Sequence, residues 1–130
     1  MRSRFPFFLR VGIALFAVLV IAFFAWTNAT RGVAITVSNS TGDEITDLRI
    51  KFSGGIKSAP KLKSAESYTC KVNPKSESHL VVEFVDASGR QHSHEIDVYF
   101  ERNYRGSVDI TIRPSGKVEW KDRIEGPFIL

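Results

Sequence analysis

Residues Val11–Trp26 read VGIALFAVLVIAFFAW and contain no charged side chain. An α-helix over this stretch is roughly 24 Å long. The preceding apolar residues Phe5, Phe7, Phe8 and Leu9 lengthen it to about 33 Å, enough to cross a hydrocarbon core of ~30 Å. Because the run is apolar on every side, it is not the one-faced core helix of a soluble protein. The sequence therefore predicts a transmembrane helix near the N-terminus.

Arginines lie unequally on the two sides of this segment. Arg2, Arg4 and Arg10 come before the uncharged run, whereas only Arg31 follows closely. Basic residues favour the cytoplasmic side, so the N-terminus is predicted in the cytoplasm and the rest outside, in a bacterial periplasm or at the cell exterior. The alternative is a cleaved signal peptide and a secreted domain, but the run is long for that and Thr27-Asn28-Ala29 is a poor cleavage site.

The helix divides the chain into two parts. Residues 1–31 form the basic N-terminus, the membrane segment and a short polar linker, Thr27–Arg31, and residues 32–130 form one domain. Such a short linker is expected to keep the domain close to the membrane surface. Four of the 18 basic residues lie in the first part and all 14 acidic residues lie in the second, so the domain has no net charge. The sequence therefore predicts no nucleic-acid partner.

After Arg31 the apolar period changes from helical to two, which is typical of β-strands. Val33, Ile35 and Val37 point to one face of the first strand. Pro60 restricts its strand to a sheet edge, and Cys70 is predicted to point inward as a small buried hydrophobe. Strands are predicted at 33–38, 45–52 (with Leu48, Ile50 and Phe52 on one face), 56–62, 67–72, 80–85, 91–100, 107–113 and around Val118 and Trp120.

A hairpin at Asp86–Arg90 fixes the register of two strands. If Ala87-Ser88-Gly89 is a three-residue loop with Gly89 left-handed, Asp86 opposes Arg90. Leu80, Val82 and Phe84 then share a face with His92, His94, Ile96 and Val98. Seven to eight short strands of this spacing predict an all-β fold, a single antiparallel β-sandwich of immunoglobulin or fibronectin-III type, with a barrel as the alternative. The resemblance to immunoglobulin-like sandwiches is architectural, because their Cys…Trp…Cys signature is absent from the sequence.

The three histidines, His79, His92 and His94, are the only candidate set of metal ligands in the sequence. His92 and His94 are predicted on one face about 6–7 Å apart, whereas His79, opposite Asp97, points to the other face and cannot complete a site. One cysteine allows no internal disulfide. Neither a nucleophile motif nor a phosphate-binding glycine loop occurs. We therefore expect no enzyme activity, no cofactor, no metal and no small-molecule substrate. The triplets beginning at Asn28 and Asn39 match the N-glycosylation pattern, which matters only in a eukaryotic source.

Two segments are candidates for binding a protein partner. Tyr99, Arg102, Tyr104 and Arg105 combine tyrosine and arginine on a loop at one end of the predicted sandwich, a composition typical of interface hot spots. The alternative is that Phe100 belongs to the core and the tyrosines pack over the sheet edge. The second candidate is Phe128 in the apolar C-terminal tail, which either tucks against the domain or binds a partner.

The sequence thus predicts a membrane-anchored extracytoplasmic β-sandwich that acts as a binding module. One alternative is an accessory subunit of a larger membrane complex, whose helix packs against other helices. Another is an envelope immunity or inhibitor protein, although the zero net charge of the domain gives that alternative no support.

Overall fold

A computed structural model describes residues 5–126, with the side chains of residues 8–26 and 31–126. Helix α1 spans Phe5–Thr30. Pro6 lies in its first turn, where the missing amide hydrogen would have no helical partner. The predicted linker was wrong in one respect, because the helix continues through Thr30. Thr27–Thr30 contains no helix breaker, and the first one is Gly32, whose φ is +97°.

Eight strands follow α1 and form two four-stranded sheets. Their order is β4-β1-β7-β8 in one sheet and β3-β2-β5-β6 in the other, which confirms the predicted sandwich-like all-β fold. The narrower immunoglobulin or fibronectin-III type stays a prediction. The strands are β1 Gly32–Asn39, β2 Ile45–Phe52, β3 Gly55–Leu62, β4 Ser67–Val72, β5 Ser78–Val85, β6 Gln91–Phe100, β7 Arg105–Ile112 and β8 Val118–Glu125.

One strand pair departs from the antiparallel prediction. β1 runs parallel to β7, with Gly32 opposite Arg105 and Asn39 opposite Ile112. Every other adjacent pair in the two sheets is antiparallel. The alternation of apolar residues fixes which face of a strand is buried and leaves the direction of its neighbour open. The sequence pattern therefore could not distinguish the two directions.

The core lies between the two sheets and is built from the alternate residues of each strand. Val33, Ile35 and Val37 are buried as predicted, and Phe84 and Phe100 are the largest fully buried side chains. Burying each such side chain contributes about 1.5–3 kcal/mol. Alternate residues of β7 are buried in the same way, namely Val108, Ile110 and Ile112.

Strand β2 contains a bulge that the alternation pattern does not predict. Leu48 and Ile50 are buried as expected, but Ile45 is buried too, although its number is odd. The register shifts between Thr46 and Arg49, and Asp47 between them has φ +50°. One extra residue in the strand turns Ile45 to the core face.

The sheet edges agree with the sequence. Pro60 is exposed on β3, which is an edge strand. Cys70 is partly buried on the edge strand β4 and packs against the core. Burial raises the pKa of its thiol, while the nearby Lys57 opposes that shift.

The predicted β5–β6 register is present at the hairpin. Phe84 pairs with His92 and Val82 with His94, and the φ of Gly89 is +83°. The register shifts between Ser78 and Leu80, so the expected pairing of His79 with Asp97 is interrupted there. His79 nevertheless lies on the exposed side, and its Nδ1 lies 3.1 Å from the carbonyl oxygen of Val98.

Candidate functional site

The sandwich has two ends, which we name by the course of β1. The entry end is where β1 begins at Gly32, next to Arg105 and Glu125 in the same sheet. The far end is where β1 finishes at Asn39, next to Ile112. A cleft of about 590 Å³ lies at the far end, and its lining includes Thr41, Asp43, Asp86, Arg90, His92 and Ser115.

The β5–β6 hairpin holds the Asp86 carboxylate in place within this cleft. Its Oδ1 accepts hydrogen bonds from the Ser88 amide at 2.9 Å, the Ser88 hydroxyl at 2.6 Å and the Arg90 amide at 3.0 Å. The hydrogen bonds from the Ser88 hydroxyl and from His92 hold the pKa of Asp86 well below its usual range, with smaller contributions from the amides of Arg90 and Ser88. Asp86 is therefore a fixed anion in the neutral range.

His92 joins this carboxylate to the core. Its Nε2 lies 2.8 Å from Oδ2 of Asp86. Its ring stacks on Phe84 with centroids 4.8 Å apart and an interplanar angle of 11°. The ring also lies against Gly116 in the β7–β8 turn, where an added Cβ would overlap it. The ring is thus held by a carboxylate, an aromatic face and a glycine whose φ is +80°.

His94, two residues further along β6, continues the stack. Its ring centroid lies 6.2 Å from that of His92, at an interplanar angle of 10°, and 6.1 Å from that of Phe84. Its Nε2 is buried and has no hydrogen-bond partner. Leaving a buried polar nitrogen unpaired costs roughly 1–3 kcal/mol. This atom is the least satisfied polar group of the stack.

The stack bears on the metal and nucleophile hypotheses. The two histidines have the predicted spacing, but their faces stack, whereas a shared metal ion needs the lone pairs in the ring planes. Across residues 5–126, no group of three potential His, Cys, Asp or Glu ligands is close enough to hold a metal ion. The Ser88 hydroxyl donates to Asp86 rather than to His92, so these residues do not form the Ser–His–Asp order that activates a nucleophile.

The predicted partner-binding residues lie at the entry end, opposite the cleft. Tyr99 is 46% exposed, and its ring meets that of Tyr104 edge to face at a centroid distance of 6.3 Å. Arg102 is exposed between them, and Arg105 is partly buried at the start of β7. The structure thus brings the four side chains to one end of the domain, although only Arg102 and Tyr104 lie in the loop, whereas Tyr99 belongs to β6 and Arg105 to β7. Phe128 lies outside the described residues.

The alternative interpretation of this segment also holds in part. Phe100 is fully buried, and Tyr104 packs against the core. The Tyr99 hydroxyl donates to the Glu101 carboxylate. This bond, with smaller contributions from desolvation and from nearby charges, raises the pKa of Tyr99 to about 12.

The sequence pattern did not predict the burial of Asn39, the last residue of β1. Asn39 is fully buried, and its Nδ2 donates to the carbonyl oxygens of Asp43 at 2.8 Å and Leu62 at 2.9 Å. Its Oδ1 accepts from both the amide and the hydroxyl of Thr41. The Asn-x-Thr pattern is a signal for such a local turn. Because its amide nitrogen is buried and occupied, Asn39 does not offer a glycosylation site in the folded domain.

Comparisons with known proteins bear on the fold. No protein-family model matches the chain, and no curated protein matches it either. An NMR structure of a protein from Eubacterium rectale matches with a TM-score of 0.51, covering 71% of this chain and 88% of that chain at 14% identity. At that identity the likeness shows the fold alone.

Proposed function

We propose that this protein is a single-pass membrane protein that displays its β-sandwich on the extracytoplasmic side and binds a protein partner there. The observation that carries the proposal is the helix window Phe8–Trp26, which has 19 residues, a mean hydropathy of 2.6 and no buried part. Side chains such as Phe16 and Leu19 are more than 60% exposed. Each such side chain costs about 1.5–3 kcal/mol of free energy when it is exposed to water, and insertion into a bilayer removes that cost.

The arginine distribution supports the orientation. Three arginines precede the window or stand at its start, and one follows it. An N-terminus in the cytoplasm satisfies the positive-inside preference and leaves the sandwich outside.

The far-end cleft supports binding at the end away from the tether. Its volume lies within the range of about 300–1,000 Å³ that is common for ligand sites. Asp43 and Arg90 bring charges of opposite sign to its lining. Such a mixed lining suits a protein surface with charges of both signs better than a polyanion. The proposed role is binding without catalysis, since the Ser88 hydroxyl is held by Asp86.

One observation favours the accessory-subunit alternative. Helix α1 is exposed along its whole window, and an added Cβ at Gly12 would meet no atom within 4 Å. A second helix could pack closely there. Size-exclusion chromatography after detergent extraction separates the two functions: a single chain supports the proposed role, and a stable heteromeric assembly supports the alternative.

The membrane part is tested on the full chain with a double variant, Leu15→Arg/Leu19→Arg, as control. The intact chain of 14.6 kDa should stay in the membrane pellet after alkaline carbonate washing. The control should be released, because each arginine at the helix centre costs about 2.5–3.5 kcal/mol of insertion. Recovery of the unaltered chain in the supernatant, or a mass lacking about the first thirty residues, would contradict the anchor.

The binding part is tested by photocrosslinking in intact cells. A photoreactive amino acid placed at Arg90 in the far-end cleft should give a discrete protein adduct. The same group at Lys57, an exposed position on β3, is the control and should give none. Equal adducts at both positions, or none at Arg90, would remove the cleft as the binding surface.

A further inference from the structure

The β6–β7 loop, residues 101–104, is tied to the point where the chain enters the domain. The amide of Gly32 donates to the carbonyl oxygen of Tyr104 at 2.9 Å, and Gly32 pairs with Arg105 in the sheet. The loop is itself well ordered by hydrogen bonds. Tyr104 donates through its amide to the Glu101 carbonyl oxygen, and the Asn103 amide donates to Oδ1 of Asn73.

Chain length limits how far this loop can be from a membrane. Gly32 follows Trp26, the last residue of the apolar window, by six residues. Six residues span at most about 20 Å when fully extended and about 9 Å when helical. This bound depends only on covalent connection and holds for any arrangement of the helix and the domain. If Trp26 lies at the interface, Gly32 and the loop hydrogen-bonded to it are close to the headgroup layer.

Two exposed side chains at this end favour that layer. Tyr99, near the end of β6, is about half exposed and meets the core-packed Tyr104 edge to face, and Arg102 in the loop is exposed. Tyrosine is enriched at membrane interfaces, where its ring is apolar and its hydroxyl remains hydrated. Arginine binds phosphate groups, often through two parallel hydrogen bonds.

The charged residues of the two ends also favour contact between the entry end and the headgroup layer. For this count, each end consists of its loops and of the first or last two residues of every strand that reaches it, within residues 31–126. The far end has five basic and five acidic residues, whereas the entry end has six basic and three acidic residues. The basic residues of the entry end are Arg31, Lys51, Lys71, Lys75, Arg102 and Arg105. Lys51 forms an ion pair with Glu83 of β5 at 2.6 Å, so the excess of positive charge comes from the other five. This end complements an anionic lipid surface.

We propose that the entry end of the sandwich docks on the headgroup layer of an anionic bilayer, with Tyr99 and Arg102 in the layer. The proposal rests on the proposed function, because it requires α1 to span that bilayer. It assigns the predicted partner-binding loop to lipid and leaves the far end free for protein. Docking at two points, the helix and the loop, would fix the tilt of the domain.

The test measures the depth of spin labels on the full chain in vesicles. Cys70→Ser removes the native thiol, and single cysteines are introduced as Ala17→Cys in the helix, Arg102→Cys in the loop and Ser88→Cys at the far end. Collision with oxygen reports burial in lipid, and collision with a water-soluble nickel complex reports exposure to water. Vesicles are prepared from phosphatidylcholine alone and with phosphatidylglycerol added.

The expected result is a graded set of depths. The label at residue 17 should be embedded, that at 102 shielded from nickel, and that at 88 fully exposed. Phosphatidylglycerol should increase the shielding at 102. Lys75→Gln at the entry end should then lower the equilibrium constant for docking about fivefold, since each basic residue near an anionic surface contributes roughly that factor. The matched control, Lys63→Gln at the far end, should leave the depth at 102 unchanged.

The possible failures are distinguishable. If the label at 17 is not embedded, the proposed membrane function fails and docking fails with it. If 17 is embedded but 102 is as exposed to nickel as 88, docking alone is overturned. If 102 is exposed in pure lipid and becomes shielded only when a membrane protein extract is added, the loop binds protein and the lipid assignment is wrong.

Discussion

The two ends of the sandwich satisfy their polar groups in different ways. At the far end, Asp86 and Asn39 accept or donate nearly all their hydrogen bonds within the domain. At the entry end, Tyr99 is exposed and basic residues outnumber acidic ones. Both ends belong to the same eight strands. The difference shows that the side chains of the loops and strand ends, rather than the sheet architecture, determine what each end can contact.

Replacing a closely packed glycine at each end is expected to give the largest change in the free energy of unfolding. Gly106 lies at the entry end with φ +124°, and an added Cβ would overlap the carbonyl oxygen of Arg123 on β8. Backbone cannot move aside without breaking the β7–β8 ladder. Gly106→Ala should lower the free energy of unfolding by about 3–5 kcal/mol, combining strain and overpacking. Pulse proteolysis of the full chain in urea measures the change, and a loss below about 1 kcal/mol would contradict the packing.

Gly116 is the far-end counterpart, and its replacement should cost less. An added Cβ there meets the His92 ring, a side chain that can rotate away. We expect Gly116→Ala to cost about 2–3 kcal/mol, of which about 1–2 is the left-handed backbone. Gly42→Ala is the matched control, because Gly42 has φ +88° and nothing within 4 Å of an added Cβ. Equal effects of both variants in the same proteolysis assay would show that His92 is not held by Gly116.

The two stacked histidines should respond in opposite directions to the same change. His92→Phe removes the hydrogen bond to Asp86 and should lower the free energy of unfolding by about 1 kcal/mol. His94→Phe removes an unpaired buried nitrogen at nearly constant shape and should leave stability unchanged or raise it by up to about 1 kcal/mol. Urea midpoints of the two variants provide the measurement. Destabilisation of similar size by both changes would mean that His94 Nε2 has a partner in solution.

The smallest expected effects are in the pH dependence, and they separate the two ends. Asp86 has a lowered pKa when folded, so its contribution to stability is present above about pH 4 and lost as the pH falls below that. Tyr99 has a pKa raised to about 12, so its contribution is present below pH 10 and lost as the pH rises from 10 through 12.

Two variants check these windows. Asp86→Asn should flatten only the acid side of the stability profile, and Tyr99→Phe only the alkaline side. The absorbance change of tyrosinate on titration gives the second pKa directly, as the difference between the unaltered chain and Tyr99→Phe. A Tyr99 that ionises near pH 10 would show that its hydrogen bond to Glu101 does not persist in solution.

Much of the strand pattern could be predicted, because alternation and turn residues are local signals. The boundaries of β2, β4 and β6 and the register of the Asp86–Arg90 hairpin agree with the structure. The bulge at Asp47 was missed, since a single left-handed residue leaves no mark on the alternation apart from the spacing of Ile45 and Leu48.

The site was less predictable, because its contacts join residues far apart in sequence. The burial of Asn39 depends on the carbonyl oxygen of Leu62, 23 residues away, which no local pattern indicates. The pairing of Asp86 with His92 was easier to predict, since the hairpin register already placed Phe84 opposite His92. It required the direction of one carboxylate in the loop, which strand parity does not give.

The parallel ladder between β1 and β7 has a consequence for biogenesis. β1 leaves the ribosome directly after the helix, yet its parallel partner, residues 105–112, is made more than sixty residues later. The other sheet, by contrast, contains the consecutive hairpins β2–β3 and β5–β6, which can close early. Closing distant segments is slow. We therefore expect the edge of β1 that pairs with β7 to stay open to chaperones and proteases until residues 105–112 have been made.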